Sequence, residues 1–189
     1  PHEGNINHQP QGFSIDGKHL YYTSNEGSEW ARLWSVDLES GDRALVEEAD
    51  WDIVGTSLSW SGRYRITTVN ADARTEVAVV DTTTGERVVL PDLPRGDIAG
   101  LNIARSEKAI AFYVNGDTAP SNLYVLDLES GKARRLTDTL NPAIDPDHLV
   151  ESEIVRYPSF DGLEIPALLY RPHAATADSP VPAIVFVHL

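Results

Sequence analysis

The chain is 189 residues long and 41% apolar, and its 15 Lys and Arg against 29 Asp and Glu leave a formal charge of −14. That apolar share suffices for a packed core in one or two domains and speaks against disorder, while the acidic balance, with no block of Lys or Arg to offset it, disfavours nucleic acid and anionic membrane as partners. The absence of Cys removes disulfides, thiolate metal sites and a cysteine nucleophile, but leaves the compartment open between cytoplasm and periplasm.

Taken along the chain, short alternating or β-branched segments read as strands at 11–14, 19–24, 32–37 and 43–46, then at 54–59, 64–69, 76–81 and 87–90, then at 99–104, 109–114, 123–127 and 133–137. No stretch of a dozen residues carries a helical stripe, and no apolar run approaches the roughly 20 residues that span a bilayer. The segments group in fours because two phrases recur. One is Asp37-Leu38-Glu39-Ser40-Gly41, repeated as Asp81-Thr82-Thr83-Thr84-Gly85 and Asp127-Leu128-Glu129-Ser130-Gly131 at spacings of 44 and 46 residues. The other precedes each of these: residues 12–18, 58–63 and 102–108.

The turn chemistry agrees with that division. Asp16-Gly17 suits a tight hairpin that needs positive φ. In each Asp-x-x-x-Gly phrase the Asp can accept backbone N–H groups two or three residues on, and the Gly can take the left-handed position. Four antiparallel strands per roughly 45 residues is the blade of a β-propeller, so the expected fold is all-β: a partial propeller of three four-stranded WD-like blades at about 10–50, 51–94 and 95–140. A single sandwich of about a dozen strands is the alternative, but it requires no repeat at this spacing. A propeller closes with about four to eight blades, and the sequence begins at Pro1 with no Met anywhere, so the chain is expected to be a fragment with further blades upstream.

After Thr137 the repeat stops, and two prolines in residues 141–147 mark a linker over 141–150. Beyond it, 153–158 and 163–170 read as a hairpin around Asp161-Gly162, 171–180 as a loop, and Ala183-Ile184-Val185-Phe186-Val187 as a strand buried on both faces. The propeller repeat, the linker, the stretch from Val155 to Pro172 and the run from Pro182 to His188 together resemble the prolyl oligopeptidase family of serine peptidases, most closely its acylaminoacyl-peptidase and dipeptidyl-peptidase branches. Over the blades alone the chain is also similar to TolB-type propellers. The resemblance implies that 151–189 open an α/β-hydrolase domain, that the buried strand runs into a His-Gly-Gly loop beside an oxyanion site, and that the parent protein hydrolyses short peptides behind a gating propeller. His188 would be the first residue of that loop, shaping it without acting as a base. Leu189 departs from the pattern, standing where Gly is expected, as a vector-derived residue would.

No Gly-x-Ser-x-Gly occurs in the chain, so no catalytic residue is assigned within it and the fragment itself is expected to be inactive. The competing reading is a non-enzymatic TolB-like propeller that binds proteins. No cofactor is implied and no metal is assigned. His2, Glu3 and His8 lack the spacing of a zinc-protease motif, and Asp145, Asp147 and His148 are the residues of an ordinary solvated linker. Glu47, Glu48, Asp50 and Asp52 form an acidic run that could hold a peptide's amino terminus, or simply be a solvated loop. Trp34 and Trp60 are expected to fill space between blades, with Trp30 at a rim. Peptide is the partner expected of the parent. The incomplete ring and bare apolar end predict self-association of the fragment.

Overall fold

The computed structural model describes residues 4–72, 74–91 and 95–187. The described chain is almost wholly antiparallel β. β1 (His8–Phe13), β2 (His19–Ser24), β3 (Arg32–Asp37) and β4 (Arg43–Glu47) form the first sheet in sequential order. β5 (Asp52–Leu58), β6 (Tyr64–Ala71) and β7 (Arg74–Asp81) form the second, and β8 (Asp97–Ile103), β9 (Ala109–Gly116), β10 (Ala119–Asp127) and β11 (Lys132–Arg135) the third. A 3₁₀ turn (Pro146–His148) then leads to a hairpin of β12 (Ser152–Pro158) and β13 (Glu164–Tyr170).

The recurring phrases form recurring turns. Asp37 Oδ1 accepts the N–H groups of Glu39 and Ser40 at 2.9 and 2.8 Å, Asp81 Oδ1 that of Thr83 at 2.9 Å, and Asp127 Oδ1 that of Ser130 at 2.7 Å. Gly41, Gly85 and Gly131 close these loops at φ of 78°, 76° and 66°, each donating its N–H to the carbonyl of the leading Asp. The first strand of each of these three sheets also carries a register break against the second, between Pro10 and Gly12, Ile53 and Gly55, and Ala99 and Asn102. Such bulges bend a strand and increase its twist.

The second unit departs from the expected four strands. In place of a strand over 87–90 there is one bridge from Arg87 to Val80 and one hydrogen bond from Val88 N–H to Val79 O. Pro91 follows directly and has no N–H to extend the pairing. A second departure lies at 183–187, where no strand forms: Ile184, Val185, Phe186 and Val187 are 74–95% exposed. An apolar run becomes a strand only when a neighbouring strand takes its backbone groups, and none lies beside it among the described residues.

The seams between sheets differ in chemistry. Tyr64, Ile66 and Val79 of the second sheet pack with Ile110, Phe112, Val114, Tyr124 and Leu126 of the third in one apolar cluster. Each fully buried side chain of this kind stabilises the fold by about 1.5–3 kcal/mol. Leu33 of the first sheet and Ile53 of the second are fully buried, and polar contacts also join these two sheets. Glu47 at the end of β4 accepts hydrogen bonds at 2.8 Å from Arg65 Nη2 and from the hydroxyl of the fully buried Thr67, both on β6. Gln11 of β1 bridges Thr23 Oγ1 and the Thr56 N–H.

Two further ties repeat along the stack. The side chain of Asp52, which opens β5, accepts the Ala31 N–H at 2.7 Å, and Asp97, which opens β8, accepts the Thr75 N–H at 2.9 Å. At the other end of the first strands, Gly17 and Gly62 take positive φ in their turns, and the third unit places Glu107 there at φ 56°. A left-handed non-glycine residue is strained by about 1–2 kcal/mol. The Glu107 carboxylate offsets this by accepting both the N–H and the hydroxyl of Ser61 at 2.8 Å, tying the third sheet to the second.

Candidate functional site

The β12–β13 hairpin is fixed to one end of the stack by side chains from two turns, β6–β7 and β9–β10. Ser152, 5% exposed, donates its N–H and its hydroxyl to Asp117 Oδ2 at 2.8 and 2.6 Å, and the Tyr170 hydroxyl donates to Asp117 Oδ1 at 2.7 Å. Asp117 lies in the β9–β10 turn. Burial by itself would raise its carboxyl, but the hydroxyls of Ser152 and Tyr170 and the Ser152 N–H outweigh this and hold it below the usual range. The same bond to Asp117, with burial added, raises the Tyr170 phenol. Arg156 reaches Asp72 in the β6–β7 turn at 2.6 Å, and Arg95 reaches Glu151 at 3.4 Å. The hydrogen bond to Asp72 raises the Arg156 guanidinium further above its ordinary range.

At the far end of the first strands lies a cavity of about 790 Å³, lined chiefly by the ends of β5 and β8 and by the turns that follow them. Trp60 is on it, and this corrects the expectation that Trp60 fills space between blades: it stands two residues past β5 and is 66% exposed. Trp34 lies on β3 beneath the guanidinium groups of Arg32 and Arg43, at 5.3 and 5.4 Å. Trp30 stacks on Trp51 at 5.1 Å.

The remaining sequence candidates are scattered or already engaged. His188 lies outside the described residues, as do His2 and Glu3. His8 packs edge-on against Tyr22 at 5.9 Å. Asp145 caps the 3₁₀ turn by accepting the Asp147 N–H at 3.0 Å. In the acidic run, Glu47 faces Arg65, Asp52 faces Ala31, and Glu48 sits 3.7 Å from Arg32. Glu47 and Asp52 thereby join the first two sheets, whereas Glu48 stays within the first. Asp117, Arg156 and Arg105 went unnoticed in the sequence. The last could have been found, because residues 15, 60 and 105 are spaced 45 apart within the repeat.

No family model matches the chain. Over its whole length it is 29% identical to dipeptidyl aminopeptidase BIII of Pseudoxanthomonas mexicana, of which it spans 28%. Among solved structures, a puromycin-hydrolyzing peptidase of Mycobacterium tuberculosis superposes with a TM-score of 0.70 at 16% identity, covering 95% of this chain and 27% of that one. Prolyl oligopeptidase B of Galerina marginata does so with a TM-score of 0.68 at 19% identity, covering 87% and 24%. The chain therefore spans about a quarter of these relatives. Its antiparallel sheets match the propeller domain of prolyl oligopeptidases in fold, and its sequence is similar to that of a dipeptidyl aminopeptidase.

Proposed function

We propose that the chain is the propeller-to-hydrolase junction of a serine peptidase that cleaves short peptides. Residues 1–140 are the propeller part that gates access, 141–150 a linker, and 151–189 the opening of the α/β-hydrolase domain. The observation that carries this reading is the alignment of the entire chain with a dipeptidyl aminopeptidase. The clamp at Asp117 and Asp72 supports it, since a hairpin leading into a catalytic domain has to be held in register with the propeller it crosses. His188 shapes the oxyanion loop that follows the apolar run 183–187, a run that becomes a buried strand once the rest of the hydrolase sheet pairs with it. The nucleophile belongs to a Gly-x-Ser-x-Gly turn that the 189 residues do not contain. The bare apolar segment 184–187 makes the isolated chain self-associate, which sedimentation velocity reads directly.

A fluorophosphonate probe and a chromogenic dipeptidyl substrate test the reading together. The full-length protein is expected to be labelled once per chain and to release the chromophore, while the 189-residue chain does neither. A full-length protein that resists both reagents refutes the peptidase assignment.

A further inference from the structure

Ile15, Trp60 and Arg105 occupy one position of the repeat, each two residues beyond the end of a first strand, and all three face the 790 Å³ cavity. That volume is of the size that takes small ligands. Leu58, Ile66 and Ile103 supply apolar wall. Ser57, Ser59 and Asn102 add neutral polar groups, and the one charged lining residue is Arg105, whose guanidinium carbon lies 4.2 Å from the centre of the Trp60 ring. Arg105 makes no ion pair and spends none of its N–H donors on a protein acceptor among the described residues. In a chain of charge −14, a guanidinium seated on an aromatic ring with its donors unspent is set up for an anion from outside. The neighbouring carboxylate of Glu107 is turned to Ser61, accepting its N–H and its hydroxyl at 2.8 Å.

We infer that the Trp60–Arg105 end of the cavity binds a carboxylate of a peptide whose apolar side chains rest on the adjoining wall. Arg105 donates to the carboxylate in the paired geometry that guanidinium favours, and Trp60 fixes the guanidinium beforehand. That the ligand is a peptide rests on the peptidase reading above; the carboxylate chemistry rests on Arg105 and Trp60. The hairpin clamp lies at the opposite end of β5 and β8, about 20 Å away for strands of this length. The site therefore holds one terminus of a peptide at a distance from the hydrolase side and makes short acidic or free-ended peptides better ligands than blocked ones.

Calorimetric titration of the 189-residue chain with three peptides tests this: acetyl-Ala-Ala-Leu with a free carboxyl end, its C-terminal amide, and acetyl-Glu-Ala-Leu amide. The free acid is expected to bind at least about tenfold more tightly than the amide, the worth of one charged hydrogen-bonded pair. Acetate should compete with it. R105Q should bring acid and amide to equal affinity, and Trp60→Leu should weaken the acid alone; both positions are exposed, so both variants are expected to fold. Tight binding of the Glu-containing amide supports a side-chain carboxylate as the source, and its failure beside a bound acid supports the α-carboxylate. Equal affinity of acid and amide in the unmodified chain, discrimination that survives R105Q, or no heat from any of the three peptides overturns the inference. Because binding is read without turnover, inertness of the full-length protein in the peptidase assay would leave a measured carboxylate preference standing and remove only the peptidase reading.

Discussion

Replacing Glu47 by Ala probes the polar seam between the first two sheets. Glu47 and Arg65 are 14% and 16% exposed at the side chain and 2.8 Å apart, and Thr67 beside them is fully buried. Arg65 Nε already has no hydrogen-bond partner, so the guanidinium depends on Glu47 for compensation. Removing the carboxylate leaves a mostly buried cation and a hydroxyl unpaired, which costs about 3 kcal/mol. With a urea dependence of about 2–3 kcal/mol per molar, the unfolding midpoint should fall by roughly 1 M or more. The double variant Glu47→Leu, Arg65→Met removes both charges and should recover much of the loss, since an apolar pair of similar volume is often no worse than the ion pair. Arg87, 3.7 Å from Glu47 but 73% exposed, serves as the control. Arg87→Gln should stay within about 0.5 kcal/mol. A Glu47→Ala midpoint shift no larger than that of Arg87→Gln, or strictly additive losses in the double variant, would refute the argument that burial makes this pair matter.

Two further outcomes follow from the turns and the clamp. Asp81 is held down to about 2, chiefly by the Thr83 hydroxyl. Because its folded value lies below the ordinary 3.8, its contribution to stability is complete above pH ~4 and is lost as pH falls toward about 2; a carboxyl-carbon NMR titration should show that midpoint, and Thr83→Val should move it upward. Asp117→Ala removes three acceptor contacts from the β12–β13 hairpin. Amide hydrogen exchange in those two strands should then accelerate at least about tenfold while β2 and β3 keep their protection, and unchanged exchange in the hairpin would show that the clamp does not hold it.

Much of this architecture is legible before any coordinates. Asp37, Asp81 and Asp127 announce their turns because the chemistry of an Asx turn is local, and the glycines that close the loops are needed there whatever surrounds them. The end of the second unit differs from its sequence pattern for an equally local reason, since Val88 and Val89 look like a strand and only Pro91 betrays that the ladder stops. The run at 183–187 has the composition of a strand without forming one, because strand formation is a property of two segments and the sequence displays one. Trp60 and Arg105 were hidden for a third reason. They sit one repeat apart and never adjoin in sequence, so their contact is visible only when residues are aligned by the 45-residue period, and a large aromatic side chain defaults to the core in any residue-by-residue reading. Asp117 had no signal at all: an Asp between Gly116 and Thr118 looks like any hairpin turn.

Unlike joints yield unequally. The hydrocarbon seam between the second and third sheets grips regardless of small sliding, because dispersion and water exclusion have no direction, so these two sheets travel as one block. The seam at Glu47 adds aimed contacts to the buried Leu33 and Ile53, and aimed contacts fail as soon as their geometry is disturbed. Strain imposed on the stack, by heat, by pull or by a bulky guest forced between its leaves, should therefore open it like a book at that page, with the first sheet as the cover that swings.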